Sequence, residues 1–349
     1  MVTTNPNHLK ALRAELSRQG LDGFVVPLTD EHMSEYVGDY AKRLAWLTGF
    51  QGSAGWAVVL KDKAAIFIDG RYTIQVKEQV DEALFSYQDY PEQTPVSWVK
   101  EELGEGEILG FDPWLHNTPW VRDMGAALAR KGAKLVAVEQ NPVDAVWADQ
   151  PSKPKHVFTP QDKLYAGKGL DEKLRLIADQ LEDQGAEYTV LAALDSIAWA
   201  FNIRGRDIEN TPVGLAFALI AKEGRSTLFT DLDKIKPDIR QHLDSHVDIV
   251  DWGVFAESLA QLSGRTILLD PSNTVSAIFT ILEDSGAHII KGRDPAVLPK
   301  ACKNAVELDG ARAAHRRDGA AVSQFLHWFS QEAPKGGLDE LGAAAYLEN

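Results

Sequence analysis

An internal repeat constrains the fold of this sequence more than any other feature. The first copy predicts a helix over Asn7–Gln19, a strand over Gly23–Pro27, the segment LAWLTGFQG, and strands WAVVL and AAIFID joined by the turn KDK. The second copy begins with helical periodicity over Leu170–Gly185. It continues with YTVLAAL, IAWAFNIRG, VGLAFALI, the turn KEGR and STLFTD in the same order. The same succession of elements in both halves predicts a duplicated domain.

Each copy then continues with a strand, a helix and a further strand. In the first these are EGEILGFDP, a helix over Thr118–Lys131 and AKLVAVE; in the second they are GRTILLDP, a helix over Val275–Ser285 and AHIIKG. Alternating strands and helices predict layered α/β domains. The 349 residues, 44% of them hydrophobic, are enough to build two cores of roughly 100–200 residues each.

Changes in composition predict where the domains end. The stretch DQPSKPKHVFTP is rich in proline and charge, which is typical of a linker. We therefore predict a first domain over residues 1–150, a linker over 151–160 and a second domain over 161–293. Residues 294–349 predict two helices separated by Pro334–Gly337, and one side of the first carries Val322, Phe325, Leu326 and Phe329. Two helices make no core, so we expect them to open a larger domain.

Charge and cysteine content exclude several classes of protein. The formal net charge is −15 without a block of like charge, which argues against nucleic acid as a partner. Cys302 is the only cysteine, and the opening MVTTNPNHLKALRAEL lacks the pattern of a secretory signal. No apolar run approaches the ~20 residues that span a bilayer. We expect a cytoplasmic protein with no membrane partner.

Features confined to one copy are the best candidates for a functional site. The first copy carries about a dozen extra residues that include His32, Tyr36 and Tyr40, although a surface loop that tolerates insertion is the alternative. It also has Gly-Arg-Tyr after Asp69, which the second copy lacks. The planar guanidinium of Arg71 suits peptide carbonyls or carboxylates, whereas an ion pair with Asp69 is the structural alternative.

Other chemistry-bearing residues do not form a recognised pattern. His242 and His246 are four residues apart, but no third metal ligand lies beside them, so a solvated helix face is favoured. GFQGSAG does not have the spacing of a nucleophile or phosphate motif, so Ser53 is a poor nucleophile, and its glycines indicate a tight turn with close packing. Cys302 and His315 are interpreted as structural.

Two long motifs resemble one known family. EHMSEYVGDYAKRLAWLTGFQGSAG followed by IDGRY resembles the first domain of the cytosolic-type, three-domain aminopeptidase P, a Xaa-Pro aminopeptidase of the creatinase and prolidase superfamily. NAVELDGARAAHRRDGAAVSQFLHWF followed by EAPKGGLDELGAAAYLE resembles the opening of that family's metal-binding "pita-bread" domain. The resemblance implies two tandem creatinase/prolidase N-terminal-like domains, each a mixed sheet flanked by helices in a ribonuclease H-like fold. The first helices of a truncated pita-bread domain would follow.

The resemblance also implies an activity. Such enzymes remove an N-terminal residue that precedes proline, using water activated between two divalent ions, manganese or zinc. The family's ligands are two Asp, one His and two Glu, and no residue of this chain matches those motifs. We therefore expect no metal site, no catalytic residue and no activity in this chain. Arg71, His32 and Tyr36 are expected to contact the peptide substrate.

The sequence leaves the oligomeric state and two alternative functions open. The parent enzyme is expected to be a homodimer, whereas a fragment lacking most of the catalytic domain could be a monomer. A peptidase-like module that binds proteins without catalysis is the alternative function. Creatinase or prolidase is less favoured, because those relatives have one domain before the pita bread.

Overall fold

A computed structural model describes residues 4–348 of the chain. Within these residues the strands form two six-stranded sheets and one two-stranded ribbon. The strands of the first sheet are Gly23–Pro27 (β1), Trp56–Leu60 (β2), Ala64–Asp69 (β3), Ser86–Tyr90 (β4), Ile108–Phe111 (β5) and Lys134–Ala137 (β6). The remaining strands are Thr159–Pro160 (β7), Tyr188–Leu191 (β8), Ile203–Arg204 (β9), Phe217–Ala221 (β10), Ser226–Thr230 (β11), Val247–Asp251 (β12), Thr266–Leu269 (β13) and His288–Lys291 (β14).

The two sheets have the same topology. The first has the order β4-β3-β2-β1-β5-β6 and the second the order β12-β11-β10-β8-β13-β14. In each sheet the three central strands pair antiparallel, and the outer strands are added in parallel. The predicted duplication of one mixed α/β fold is confirmed.

Fifteen α-helices of the described residues surround the sheets or follow them. In the first copy they are Pro6–Arg18 (α1), Arg43–Thr48 (α2), Gln75–Gln79 (α3), Pro95–Glu102 (α4), Thr118–Ala129 (α5) and Pro142–Val146 (α6). The second copy has Lys163–Ala166 (α7), Leu170–Gln184 (α8), Leu194–Ala200 (α9), Pro237–Leu243 (α10), Phe255–Ala260 (α11) and Ser276–Ser285 (α12). The chain continues with Val297–Ala301 (α13), Ala305–Glu332 (α14) and Glu340–Glu348 (α15).

Each sheet is buried on both faces. Along β1, Phe24 and Val26 belong to one hydrophobic cluster with α1, while Val25 belongs to another with α4 and α5. The second sheet likewise separates two clusters. Successive side chains of a strand point to opposite faces, so a strand covered on both sides must be apolar throughout. This explains the continuous apolar runs in the sequence.

Backbone hydrogen bonds fasten the two domains together where equivalent loops meet. The first turn of α12 has no side-chain cap, because its N-cap residue is Val275. The amides of Ser276 and Ala277 instead donate to the carbonyl oxygens of His116 (2.7 Å) and Pro113 (2.9 Å) in the first domain. Unpaired amides at a helix start need such acceptors. The first domain thus supplies the acceptors that the first turn of α12 needs.

Residues 151–160 also contact the second domain. Phe158 is buried in that domain's core, and its amide donates to the carbonyl oxygen of Lys234 over 3.1 Å. Strand β7 pairs with β9. The boundaries near residues 150, 160 and 293 stay predictions.

The C-terminal helices leave their apolar side chains exposed. Leu326 of α14 is 58% exposed, although Trp328 stacks on Tyr346 of α15 at 3.6 Å between ring centroids. Between the two helices Gly336 has a φ of +74°, at the predicted break. Within residues 4–348, no helix is both long and apolar enough to cross a membrane.

Candidate functional site

The Gly-Arg-Tyr element forms a short 3-10 turn at the end of β3. Asp69 caps this turn by accepting from the amide of Arg71 at 2.9 Å. The same carboxylate accepts from Arg71 Nε at 3.0 Å and from Nη2 at 2.6 Å. These bonds lower the pKa of Asp69 and raise that of Arg71 above its ordinary value. The ion pair considered from the sequence is therefore present, and it holds the guanidinium in a fixed plane.

Arg71 remains accessible despite this pair. Its side chain is 62% exposed, and its Nη1 atom donates no hydrogen bond within residues 4–348. The guanidinium carbon lies 5.2 Å from the centroid of the Tyr72 ring, a distance that allows a cation–π contact. A ligand oxygen could therefore approach Arg71 without displacing Asp69.

Tyr72 connects this element to the glycine-rich turn. Its hydroxyl lies 3.1 Å from the amide of Ser53, which donates to it, and 2.9 Å from Ser53 Oγ. Ser53 Oγ also donates to Glu35 at 3.2 Å. The inserted segment, the glycine-rich turn and the Gly-Arg-Tyr turn are thus joined by side-chain hydrogen bonds. Sequence analysis missed Glu35 and the partnership of Ser53 with Tyr72, since no pattern in the chain predicts a contact between residues 19 positions apart.

Gly52 lets these segments approach each other. A Cβ atom at this position would lie 2.3 Å from Phe50 Cζ and 2.8 Å from Tyr72 Cδ1. Phe50 is buried and packs edge-on against Tyr72. The predicted close packing of the GFQGSAG turn is confirmed at Gly52.

A surface pocket of about 320 Å³ lies beside this network. It is lined by Phe50 and Ser53 of the first domain and by Ile208 and Glu209 of the second. The pocket is lined by GFQG, which follows α2, and by the loop after NIRG, which follows α9. These two helices correspond to each other in the two copies. Tyr36 also lines the pocket and is 62% exposed. The structure therefore brings Tyr36 and the Gly-Arg-Tyr element to one surface through Glu35 and Ser53.

His32 lies elsewhere. It is 3% exposed, and its Nδ1 atom lies 2.9 Å from the carbonyl oxygen of Ala192 in the second domain. Its ring packs against Phe217 and Trp252, at 4.7 and 5.6 Å between centroids. This buried position gives no support to a direct substrate contact by His32, in contrast to the exposed positions of Arg71 and Tyr36.

The described residues offer no metal centre. Within residues 4–348, no group of three or more His, Cys, Asp or Glu side chains is placed to hold an ion. His242, considered from the sequence, bonds through Nε2 to the carbonyl oxygen of Phe201 at 2.9 Å. This hydrogen bond gives His242 a structural contact within the second domain.

Comparison with known proteins agrees with this architecture. The creatinase/prolidase N-terminal domain matches twice, over residues 8–146 and 149–307. A protein of Aspergillus clavatus named "Probable Xaa-Pro aminopeptidase P" is 35% identical over 364 aligned positions, covering 100% of this chain and 55% of its own. One of the same name from Neosartorya fischeri is 36% identical with the same coverage. This chain belongs to the creatinase/prolidase N-terminal domain family, and it is similar along its whole length to proteins named aminopeptidase P. The resemblance drawn from the sequence motifs is confirmed.

A solved structure extends the match to three dimensions. The X-prolyl aminopeptidase of Caenorhabditis elegans, described as a cytosolic enzyme with a di-nuclear active site, superposes with a TM-score of 0.91 at 28% identity. The match covers 98% of this chain and 58% of the worm enzyme. The chain thus spans little more than half the length of the aminopeptidase P relatives that it matches.

Proposed function

We propose that this chain is the substrate-recognition portion of an aminopeptidase P that removes the N-terminal residue preceding a proline. The observation that carries the proposal is the match to the worm X-prolyl aminopeptidase over 98% of the chain. Both tandem domains and the helices after them follow the fold of that enzyme. Peptides with proline at the second position are the corresponding substrates.

The surface around Arg71 would bind the peptide beyond the proline. Arg71 offers donors to a peptide carbonyl or to the terminal carboxylate, and such charge-assisted bonds are stronger than neutral ones. Tyr36 offers an exposed ring at the neighbouring pocket. Ser53 bonds both to Glu35 and to Tyr72, and the Tyr72 ring in turn lies beside the guanidinium. Arg71 and Tyr36 would therefore select peptides by length, while bond cleavage occurs elsewhere.

Two divalent ions, manganese or zinc, would belong to the parent enzyme. When bound, such a pair lowers the pKa of bridging water and polarises the scissile carbonyl. The described residues of this chain do not fit a dinuclear centre, and we assign no catalytic step to them. We propose that the ions are held by a part of the protein that these residues do not include, and that this chain alone is inactive.

The same comparison supports a proposal for the cellular location of the parent enzyme. The worm enzyme is described as cytosolic, which favours a cytoplasmic location for the protein containing this chain. A homodimeric parent stays a proposal as well.

Metal analysis and a peptidase assay test the proposal together. The purified 349-residue chain should bind no stoichiometric manganese or zinc and should not cleave Xaa-Pro peptides. The complete protein that contains it should do both. About two ions per chain together with cleavage by the isolated chain would contradict the proposal that the metal centre lies outside this chain. An inactive complete protein would contradict the function itself.

A further inference from the structure

The inserted segment of the first copy, residues 29–40, is docked on the second domain. Tyr40 and the neighbouring Ala41 are buried, and Val37 packs beside them. The rest of this hydrophobic cluster comes from the second domain, namely Leu194, Ala198, Ile208, Val213 and Leu215, with Trp252 packed against it. His32 bonds to the second domain as well. The buried residues of the segment therefore fix its position on the other domain.

The middle of the same segment lines the pocket of about 320 Å³ that contains Tyr36, which we call the peptide pocket. Glu35, Tyr36 and Val37 line it from the segment, and Ile208 lines it from the second domain. Val37 and Ile208 thus belong both to the pocket and to the hydrophobic cluster between the domains. The shape of the peptide pocket depends on how the segment lies on the second domain.

Lys153 of the linker contacts the segment and the second domain at once. Its Nζ atom lies 2.5 Å from Glu31 Oε1 in the segment. The same atom lies 4.1 Å from the ring centroid of Trp252 in the second domain and 5.3 Å from that of Tyr40. One ammonium therefore joins the two domains through an ion pair and cation–π contacts.

The partner of Lys153 is buried, which distinguishes this pair from a surface ion pair. The Glu31 side chain is only 10% exposed, whereas that of Lys153 is 46% exposed. Burial acts to raise the pKa of Glu31, but the charges of Lys153 and His32 outweigh this effect and keep the pKa below its ordinary value. A buried carboxylate that loses its counter-charge is strongly destabilising. Loss of the ammonium would therefore favour movement of the segment into water, where Glu31 is hydrated.

We propose that Lys153 is a positioning residue, which holds the inserted segment on the second domain and so shapes the peptide pocket. It acts through Glu31 and Trp252, and it does not itself line that pocket. The holding role rests on these contacts alone. The consequence for peptide binding rests on the proposed function, in which Tyr36 lies beside the peptide beyond the proline.

Lys155 provides a matched control from the same linker. Its Nζ atom lies 2.9 Å from carboxylate oxygens of Asp231 and Asp233, which both belong to the second domain. Its side chain is 56% exposed, close to the 46% of Lys153. Lys155→Met therefore removes the same charge from the linker without removing a contact to the inserted segment.

Limited proteolysis of the 349-residue chain tests the holding role without any peptidase activity. Chymotrypsin cleaves after Tyr36, at a rate that follows the fraction of molecules in which the segment is locally open. Lys153→Met should raise this rate about fivefold or more, whereas Lys155→Met should leave it unchanged. Lys153→Arg keeps the charge and should restore the wild-type rate. Cleavage after Tyr165 of α7, which is 65% exposed, is the internal reference.

Kinetics of the complete protein test the consequence for the peptide pocket. Lys153→Met should raise KM about fivefold for tripeptides and longer Xaa-Pro peptides and leave kcat unchanged, because only binding is weakened. Xaa-Pro dipeptides do not extend beyond the proline, so their KM should stay the same. Lys153→Arg should again behave as wild type, and Lys155→Met should do so as well.

The outcomes distinguish the holding role from its consequence. Equal cleavage after Tyr36 in wild type and Lys153→Met would overturn the proposal, as would faster cleavage after both Tyr36 and Tyr165, which indicates general unfolding. Faster cleavage after Tyr36 alone, with unchanged KM on long peptides, would support the holding role and overturn the effect on the pocket. An equal rise in KM for dipeptides would overturn that effect too. An inactive complete protein would contradict the proposed function, whereas the proteolysis result would still decide the role of Lys153.

Discussion

The imidazole of His32 and the carbonyl oxygen of Ala192 lie 2.9 Å apart and join the two domains across their interface. Removing this side chain should loosen the interface, because the ring also packs on Phe217 and Trp252. We predict that His32→Ala lowers the free energy of unfolding by about 1–3 kcal/mol. Tyr36→Ala, in the same inserted segment but 62% exposed, should change it by less than about 0.5 kcal/mol. Urea unfolding measures both, and equal effects would contradict the assignment.

Gly52 and Gly70 make a matched pair in the candidate site. A Cβ at Gly52 would collide with the buried Phe50 and with Tyr72, whereas one at Gly70 meets no atom within 4 Å. Overpacking of this kind costs about 1–3 kcal/mol, so Gly52→Ala should lower the free energy of unfolding by that amount. Gly70→Ala should be neutral or stabilise by up to about 1 kcal/mol. Thermal unfolding of the two variants checks this, and equal midpoints would show that the turn relaxes freely.

His116 should give the stability of the chain a pH dependence. Burial lowers its pKa to about 4 from the ordinary 6.5, although its bond to the carbonyl oxygen of Asp112 acts in the opposite direction. A group with a depressed folded-state pKa contributes stability above its unfolded pKa and loses it as pH falls towards the folded value. The loss should therefore occur between pH 6.5 and about 4, at about 1.4 kcal/mol per pH unit.

The test replaces His116 with Phe, which keeps an aromatic ring against Trp120. Between pH 6.5 and 5.0 the wild-type chain should lose about 2 kcal/mol more unfolding free energy than His116→Phe. His288→Phe, at an exposed histidine, should behave as wild type. An identical pH dependence in all three proteins would remove His116 as the cause.

Lys234 and Asp207 form an ion pair in which the side chains are 1% and 0% exposed. Asp207→Asn should cost about 3–5 kcal/mol, because it leaves a buried ammonium without its counter-charge. Adding Lys234→Met should recover part of that loss, which a double-mutant cycle measures. Asp309→Asn breaks the exposed pair with Arg312 and should cost less than about 1 kcal/mol. Additive effects at positions 207 and 234 would contradict the coupling.

Sequence patterns predicted several buried strands of the first copy with accurate bounds. Gly23–Pro27 and Ala64–Asp69 match because strands covered on both faces are continuous apolar runs between turns. Edge strands β4 and β12, SYQDY and VDIVD, were missed because they are partly solvated and carry no such run. The inserted segment stays a candidate site, and its residue pattern could not show that His32 would be buried against another domain.

Substrate contact by Arg71 is the prediction that most directly tests the functional proposal. Its guanidinium is fixed by Asp69 and supported by Tyr72, yet its side chain is 62% exposed. In the complete enzyme, Arg71→Ala should lower kcat/KM on tripeptides and longer Xaa-Pro peptides by about ten- to hundredfold, because a charge-assisted bond is lost. Thermal unfolding should change little. Arg122→Ala is the matched control, since Arg122 is an exposed arginine of the same domain paired with its neighbour Asp123. If both variants keep wild-type kinetics, or if Arg71→Ala loses activity only by melting, then Arg71 acts through its ion pair with Asp69 alone.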